Sequence, residues 1–445
     1  MTSTHSTSQY CWSEAERVTT AFRGSIFHCT ADPGERADAQ AIEYFEDGLL
    51  LVEDGQISAL DAADRLLPGL SANTRIEDYS GKLIVPGLID CHVHYPQIDI
   101  IGSYGEQLLD WLNRYAYPGE MRFADEQHAR DTAVTFVDEL IANGTTTALV
   151  FATVHKHSAD AIFEAAADRG MRLIAGKVLM DSNCPESLRD TAESGYAESK
   201  ELIERWHGNK RLGYAITPRF ALTSSEEQLE AAGRLAAEYP DVWVHTHLAE
   251  NHDEVEQIAK LFPWSESYLD VYDRCGLVRE RSVFAHCLHL LDSECSTMAA
   301  RGAAAAHCPT SNMFLGSGLF DLRRLRQEAI RVGLGTDVGG GTSLSLLKTM
   351  REAYKVLYLQ DQPLPPTRAM YLATLGAAKA LYLDDRIGNF VIGKEADFIV
   401  LDPRGTAISA HRTATANTVE ELLFALIVLG DDRNVAATYL QGHRA

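Results

Sequence analysis

The chain has 445 residues, of which 46% are hydrophobic, so it is long enough for two or three domains or for one large α/β barrel with an additional domain. Forty basic residues against 63 acidic residues leave a formal charge of −23, which argues against nucleic acids and anionic membranes as partners because both require basic surface. No apolar run approaches the roughly 20 residues that cross a bilayer.

The N-terminal part of the chain is expected to be rich in β-structure. Residues 22–59 have the pattern of strands and turns, and residues 48–60 resemble a hairpin whose turn is Glu53-Asp54-Gly55. This piece is too small to hold a generous hydrophobic core alone. It is therefore expected to need a second part of the chain.

From about residue 88, strand and helix patterns alternate about eight times. Helical patterns cover residues 126–142 and 158–169, and short apolar strands are expected at residues 146–152, 173–180, 214–217, 242–248, 283–286, 303–308 and 331–335. This alternation predicts an α/β fold with a TIM-like (β/α)8 barrel, which carries its chemistry at the carboxyl ends of the strands.

After a helix near residues 372–382, the β pattern returns in G-N-F-V-I-G-K-E-A-D-F-I-V-L-D. We expect this stretch to rejoin the N-terminal strands in a small β-sandwich domain built from both chain ends. The predicted division is residues 1–87 and 389–445 for the β-sandwich and residues 88–388 for the catalytic barrel.

The stretch 81–97, G-K-L-I-V-P-G-L-I-D-C-H-V-H-Y-P-Q, contains a short predicted strand that ends on His92 and His94. Side chains two residues apart on a strand share a face, so both imidazoles point the same way. Converging imidazole nitrogens suit a divalent ion such as zinc. The motif alone is weak because the chain has 16 histidines. The metal hypothesis therefore depends on ligands from other strand ends.

Later predicted strands end on such residues. The segment W-V-H-T-H-L-A-E places His245 and His247 on one strand face, with Glu250 three residues further on. The strand at residues 283–286 ends on His286, and G-L-G-T-D ends on Asp337, where small glycines permit close approach. Ligand-type residues at several separate strand ends are much harder to obtain by chance than a single pair.

The motifs P-G-L-I-D-C-H-V-H-Y-P-Q, T-P-R-F, H-L-A-E, A-H-C, C-P-T-S-N and G-L-G-T-D resemble the amidohydrolase superfamily and, within it, the guanine deaminase family. The similarity spans nearly the whole chain, including the terminal G-N-F-x-x-G-K-E-A-D-F. The assignment to guanine depends mainly on Tyr95-Pro96-Gln97, on Pro218-Arg219-Phe220 and on G-E-Q-L-L-D-W-L at residues 105–112.

This resemblance implies hydrolytic deamination of guanine to xanthine and ammonia by a metal-activated hydroxide. It implies one divalent metal ion, zinc or alternatively iron, held by His92, His94, His247 and Asp337. The implied catalytic residues are Glu250 as the proton shuttle, His286 beside the reacting centre, and Asp337. The implied substrate-binding residues are Gln97, Arg219, Phe220, His94, His247 and Asp337.

Elementary chemistry supports these roles. A metal with imidazole and carboxylate ligands lowers the pKa of bound water from ~15.7 towards ~7. Arginine offers a rigid fork of donors to a heteroaromatic edge, glutamine donates and accepts, and Phe220 offers a wall for a flat ring.

Several side chains leave alternatives open. His245 shares a face with His247 and is expected to pack or to support a ligand. His155 and His157 form a second H-x-H motif, for which a place in the pocket wall or behind a ligand is favoured over direct ligation. Lys177 raises a two-metal alternative, in which a modified lysine bridges two ions.

The sequence also leaves other functions open. One is an aminohydrolase of the same superfamily that acts on a triazine, a pterin or an adenine-type substrate, and another is a non-catalytic scaffold, which would need a broken ligand set. The run from Cys308 to Asn312 lacks the P-C-x-x-C zinc signature, which excludes the cytidine-deaminase fold. Asp110 and Trp111 belong either to a lid or to a surface helix.

The sequence also indicates where the protein is located, and the resemblance indicates how it assembles. The first ten residues lack the basic and apolar regions of a signal peptide, and eight cysteines without a C-x-x-C pair are typical of free thiols in a reducing compartment. These features predict a cytoplasmic protein. The resemblance further implies a homodimer.

Overall fold

The computed structural model describes residues 19–445. The strands are β1 (Thr19–Cys29), β2 (Ile42–Glu53), β3 (Gln56–Ala62), β4 (Arg75–Pro86), β5 (Leu88–His94), β6 (Thr145–Phe151), β7 (Arg172–Gly176), β8 (Val178–Leu179), β9 (Leu212–Pro218), β10 (Trp243–Leu248), β11 (Ser282–His286), β12 (Ala304–His307), β13 (Arg331–Leu334), β14 (Phe398–Leu401), β15 (Val435–Leu440) and β16 (His443–Arg444).

The helices between them are mostly the expected connections between barrel strands. They are α1 (Ala63–Leu66), α2 (Leu108–Trp111), α3 (Tyr117–Met121), α4 (Glu126–Ala142), α5 (Lys156–Arg169), α6 (Ala192–Trp206), α7 (Glu226–Glu238), α8 (His252–Leu261), α9 (Tyr268–Arg274), α10 (Asp292–Arg301), α11 (Pro309–Phe314), α12 (Leu322–Gln327), α13 (Leu346–Tyr358), α14 (Pro366–Ala373), α15 (Leu375–Ala380), α16 (Ala407–Thr413) and α17 (Val419–Leu429). None of these helices is long and apolar enough to cross a membrane.

Eight parallel strands confirm the predicted barrel. Their order is β5, β6, β7, β9, β10, β11, β12 and β13, and the short β8 pairs with β9. The segment after β13 returns to β5, because the backbone N–H of Asp337 donates to the carbonyl of His92 at 2.9 Å and that of His94 donates to Val338 at 3.0 Å. The eight strands therefore nearly close a barrel whose carboxyl ends lie at one rim.

The inside of the barrel is filled by apolar side chains, which keeps the strand ends at fixed distances. Ile89, Leu149, Ile174 and Trp243 belong to this buried cluster. The indole Nε1 of Trp243 donates to the carbonyl of Leu381 at 2.9 Å, next to α15, which also packs on this cluster. Close packing of this kind resists displacement, so the site above it rests on a rigid base.

The strand predicted at residues 173–180 is divided in two. A Cβ atom at Gly176 would lie 1.7 Å from the carbonyl oxygen of Ala215, so the backbone approaches β9 more closely than any other residue would allow. Lys177 follows in the gap between β7 and β8, where its ammonium donates to Asp190 at 2.6 Å.

The predicted hairpin is present. Glu53 of β2 pairs with Gln56 of β3, and the two turn residues Asp54 and Gly55 have φ values of 50° and 79°. Positive φ at both central positions is the requirement of a type I′ turn, which Asp-Gly meets readily.

Both chain ends form one β unit, as expected. Its seven strands have the order β16, β15, β14, β4, β1, β2, β3 in a single sheet, with β1 and β4 parallel and the other pairs antiparallel. The β domain predicted from both chain ends is therefore present as one continuous sheet. The backbone N–H of Ile57 donates to the carbonyl of Lys394 at 2.8 Å, and that of Ala396 donates to the carbonyl of Gly55 at 2.9 Å, which joins the hairpin to the segment before β14. These bonds enclose a core that includes Phe22.

Helices α16 and α17 interrupt the β-structure expected near the C-terminus. Phe424 of α17 packs edge-on against Tyr354 of α13 with ring centroids 5.0 Å apart, which anchors this part to the barrel. The domain division at residues 87/88 and 388/389 stays a prediction, and residues 1–18 of its first range lie outside the described residues.

Candidate active site

Most of the residues predicted for the site line one cavity at the carboxyl ends of the barrel strands. Its wall combines ionisable groups with apolar side chains from the helical segment that follows β5. The cavity is lined by His94, Gln97, Leu108, Trp111, Leu112, Arg219, Phe220, His247, Glu250, His286, Leu315, Asp337 and Gly340.

Four predicted ligand atoms converge at the bottom of this cavity. The Nε2 atoms of His92 and His94 lie 3.1 and 3.3 Å from Oδ1 of Asp337. The same Nε2 atom of His94 lies 3.2 Å from Nε2 of His92 and 3.3 Å from Nε2 of His247. Ligand atoms of His92, His247, Asp337 and also His286 all lie within 4.8 Å of one another.

The hydrogen bond on the far side of the His247 ring explains why its Nε2 atom can bind a cation. Nδ1 of His247 lies 2.6 Å from the carbonyl oxygen of Arg219, which only accepts, so this nitrogen carries the proton. In the neutral ring Nε2 then presents a lone pair. The Nε2 atoms and the carboxylate oxygen that face each other are all electron-pair donors, and too few protons are available to join them by hydrogen bonds. A divalent ion placed between them can accept a lone pair from each.

The local sequence allows this convergence. A Cβ atom at Gly335 would lie 2.9 Å from Cβ of His92, and one at Gly333 would lie 2.4 Å from Sγ of Cys91. Both glycines of G-L-G-T-D therefore permit the close approach of β13 to β5 that the sequence suggested. Asp337 itself has a φ of 51°, a left-handed conformation that costs about 1–3 kcal/mol and is common at functional sites.

Burial sets the charges of the cluster. It lowers the pKa of His94 to about 3 and also lowers the pKa of His92 and His247, so the imidazoles are neutral, as metal ligands must be. Burial opposes the ionisation of Asp337, but the neighbouring histidines, His92 first, hold its pKa well below the ordinary value. The directions of these pKa shifts favour neutral imidazoles beside an ionised carboxylate.

Glu250 lies beside this cluster. Its Oε2 atom is 3.3 Å from Nε2 of His286, and its Oε1 atom accepts a hydrogen bond from the hydroxyl of Ser317 at 3.2 Å. Burial, with a contribution from the charge of Asp337, raises the pKa of Glu250 to about 8. His286 is held from behind by Asn312, whose Oδ1 lies 2.8 Å from Nδ1. A carboxyl group with such a pKa can both accept and release a proton near neutral pH.

The residues predicted to contact the purine, Gln97, Arg219 and Phe220, line another wall of the cavity. Gln97 and Arg219 both bind Glu120, a residue that was not predicted from the sequence. Nη1 of Arg219 donates to both carboxylate oxygens of Glu120 at 2.8 Å. Nε2 of Gln97 donates to Oε1 of Glu120 at 2.8 Å. Phe220 is buried at the same wall, with its ring centroid 6.3 Å from that of His247. Glu120 follows Pro118-Gly119 in a short helix, and no pattern in the sequence marks it as buried.

Asp110 and Trp111 have different environments. Trp111 is buried and lines the cavity, whereas Asp110 is exposed. The segment therefore covers the site with its apolar face, and Trp111, Leu108 and Leu112 are the side chains that exclude water.

The alternative ligands lie outside the cluster. Nε2 of His245 lies 2.7 Å from Nδ1 of His92, so His245 supports a ligand, in line with the expectation from the sequence. His155 and His157 stack on each other with centroids 5.5 Å apart and line a separate polar cavity. The ammonium of Lys177 is bound by Asp190 at 2.6 Å. This geometry gives no support to the two-metal alternative.

Comparisons with known proteins identify the family of this chain. The family model described as "Amidohydrolase family" matches residues 83–445. Guanine deaminase from Escherichia coli (strain K12) is 50% identical over 96% of this chain and 98% of its own, and the probable guanine deaminase of Deinococcus radiodurans is 43% identical over 95% and 97%. The E. coli structure has a TM-score of 0.94 over 96% of this chain and 99% of that one. A guanine deaminase from C. acetobutylicum with bound guanine in the active site has a TM-score of 0.87 at 29% identity, over 96% and 99% of the two chains. The chain therefore belongs to the amidohydrolase family and, within it, to the guanine deaminases.

Proposed function

We propose that this protein hydrolyses guanine to xanthine and ammonia. The observation that carries the proposal is the meeting, in one buried cavity, of a histidine and aspartate cluster, Glu250, and the Arg219 and Gln97 pair. The name of the E. coli relative and the guanine bound to the C. acetobutylicum relative support guanine as the substrate.

One divalent ion is proposed for His92, His94, His247 and Asp337, with zinc as the preferred ion. Three imidazole nitrogens and one carboxylate oxygen are a ligand set that zinc favours, although iron uses it as well. When bound, such an ion supplies Lewis acidity that lowers the pKa of water towards ~7.

The chain's own residues then move the protons. Glu250 accepts a proton from the attacking water and delivers it to the ring nitrogen next to the carbon that bears the exocyclic amine. It then carries the remaining proton of that water, from the new hydroxyl on the same carbon, to the amine. The C–N bond breaks as the carbonyl of xanthine forms, so one water is consumed and one ammonia leaves. His286 is proposed to contact the carbon that is attacked. Asn312 fixes its ring, and its Nε2 atom lies 3.3 Å from Oε2 of Glu250.

The opposite wall binds and orients the purine. Arg219 contributes N–H donors, the amide of Gln97 contributes a donor and an acceptor, and Phe220 contributes an apolar face. Trp111 and Leu112 keep bulk water away, which strengthens these polar contacts.

The test is a substrate panel at fixed metal content, with ammonia release as the measurement. Guanine is expected to give the highest kcat/KM, ahead of adenine, an aminopterin-type heterocycle and an amino-triazine. A higher kcat/KM for any of the other three would assign the chain to a different substrate of the same superfamily. No ammonia release from any of them by the metal-loaded protein would indicate a scaffold.

Assembly and location are proposed as a homodimer in the cytoplasm. Exposed apolar side chains at the end of α13, Tyr358 and Leu359, are suitable for a subunit contact, and the seven cysteines of the described residues are free thiols. Sedimentation at micromolar concentration is expected to give about twice the chain mass of 49.0 kDa. A species of 49.0 kDa alone would contradict the dimer.

A further inference from the structure

We propose that Glu120 is the positioning residue that makes this pocket specific for a purine with an oxo group at carbon 6. It does so by fixing Arg219 and Gln97 in one arrangement of donors. The inference rests on the proposed function and names a specificity element of the same site.

Glu120 forms a buried ion pair with Arg219. Glu120 is 1% exposed and Arg219 is 2% exposed. Both carboxylate oxygens lie 2.8 Å from Nη1 of Arg219, and the guanidinium carbon is 5.3 Å from the ring centroid of Tyr117. A buried cation without its carboxylate is strongly disfavoured, so Glu120 determines where the guanidinium rests.

Glu120 also determines which way the amide of Gln97 faces. Nε2 of Gln97 donates to Oε1 of Glu120 at 2.8 Å, and Oε1 of Gln97 accepts from the backbone N–H of Gly339 at 3.1 Å. A flipped amide would put oxygen against the carboxylate and nitrogen against an N–H group. The carboxylate and the Gly339 amide thus leave Gln97 with one remaining N–H and one remaining lone pair for a ligand.

The same arrangement leaves Arg219 with a fixed set of free donors. Arginine has five N–H groups on three nitrogens, and the hydrogen bonds of Nη1 go to the two carboxylate oxygens of Glu120. The three N–H groups on Nε and Nη2 have no hydrogen-bond partner among the described residues. They remain for a ligand edge that offers only acceptors.

Guanine has such an edge, because its O6 and N7 atoms are both acceptors, and arginine pairs with them readily. A purine with an amine at carbon 6 has a donor there, which would face the donors of Arg219. A site built for hydrogen bonding rejects such a mismatch far more strongly than an apolar pocket rejects a change of size. The charge of Glu120 also neutralises Arg219, so the pocket favours a neutral purine over an anion.

The experiment compares guanine with 2,6-diaminopurine, which has the same amine at carbon 2 and an amine in place of the oxygen at carbon 6. In the metal-loaded Glu120→Gln variant we expect KM for guanine to rise by about 10²-fold, with kcat changed by less than about 10-fold and metal content unchanged. The kcat/KM preference for guanine over 2,6-diaminopurine is expected to fall by about 10-fold or more. Unchanged KM and unchanged preference would overturn the inference.

Glu294→Gln is the matched control. Glu294 is 3% exposed, and its carboxylate accepts from the backbone N–H groups of Leu269 at 2.8 Å and Leu291 at 2.7 Å, away from the cavity. Its variant is expected to lose thermal stability and to keep both KM and preference. An equal loss of preference in Glu294→Gln would show that Glu120 acts only on stability.

A double-mutant cycle tests whether Glu120 acts through Arg219. In an Arg219→Ala background, Glu120→Gln is expected to raise KM by a smaller factor than in the wild type, because only its effect through Gln97 remains. If the two substitutions raise KM independently, so that the increase in the double variant is the product of the two single increases, the inference is contradicted. If Glu120→Gln does not fold, Glu120→Asp retains the charge with a shorter reach and is expected to show a smaller loss of the same preference. A wild-type protein that does not deaminate guanine would refute the proposed function instead.

Discussion

The Glu250→Gln variant is expected to lose about 10²–10⁴-fold in kcat for guanine deamination. Glutamine keeps the shape of the side chain and can still accept from Ser317, but it cannot take a proton from water or deliver one to the leaving amine. Metal content is expected to stay near one equivalent, because Glu250 lies beside the cluster and is not among the proposed ligands.

Binding separates this mechanism from a structural role. Guanine affinity is expected to change little in Glu250→Gln, since Arg219, Gln97 and Glu120 are untouched. If Glu250 were only a buried structural carboxyl group, its variant would show a lower melting temperature and lower metal content while the folded fraction kept its turnover rate. A well-folded, metal-loaded variant with near-normal kcat would end the proposed proton transfer.

The His247→Ala variant is expected to lose metal and activity together. The change removes one imidazole ligand and leaves the carbonyl of Arg219 without the donor that lies 2.6 Å away. Elemental analysis is expected to show one equivalent per chain in the wild type and a clearly lower content in the variant, since the removed imidazole is one of the four proposed ligands. Two equivalents in the wild type would contradict the single-ion proposal.

Thermal stability gives a second measurement of the same loss. At a free ion concentration about 1,000 times the Kd, a bound ion adds about 4 kcal/mol to the free energy of unfolding, and His247→Ala is expected to lose this increment. His307→Leu is the control, because His307 is also buried and stacks on Phe320 with ring centroids 4.2 Å apart without belonging to the cluster. It is expected to keep its metal, and a loss as large as that of His247→Ala would mean that any buried histidine in this barrel has this effect.

The convergence of the predicted ligand residues could be expected from the sequence because two local rules bring strand-end side chains together. Alternation along a strand puts residues two apart on one face, and parallel strands of a barrel end at the same rim. His92 and His94 of β5, His247 of β10 and Asp337 after β13 follow both rules. His245 and His286 follow them as well, so the choice of the four as predicted ligands depended on the family resemblance. The hairpin turn at Asp54-Gly55 was predictable from a local rule as well, since its chemistry is contained in two residues.

Only the tertiary structure identified Glu120, Asn312 as the support of His286, and the division of the strand at Gly176. Glu120 lies 23 residues from Gln97 and 99 residues from Arg219 along the chain, and no periodicity relates such positions. Its burial depends on how a short helix packs against the barrel rim, which is a property of the whole core. The sequence by itself thus determined the barrel and the predicted positions of the metal ligands and of Glu250 at its strand ends, whereas long-range packing decided that Glu120 pairs with Arg219.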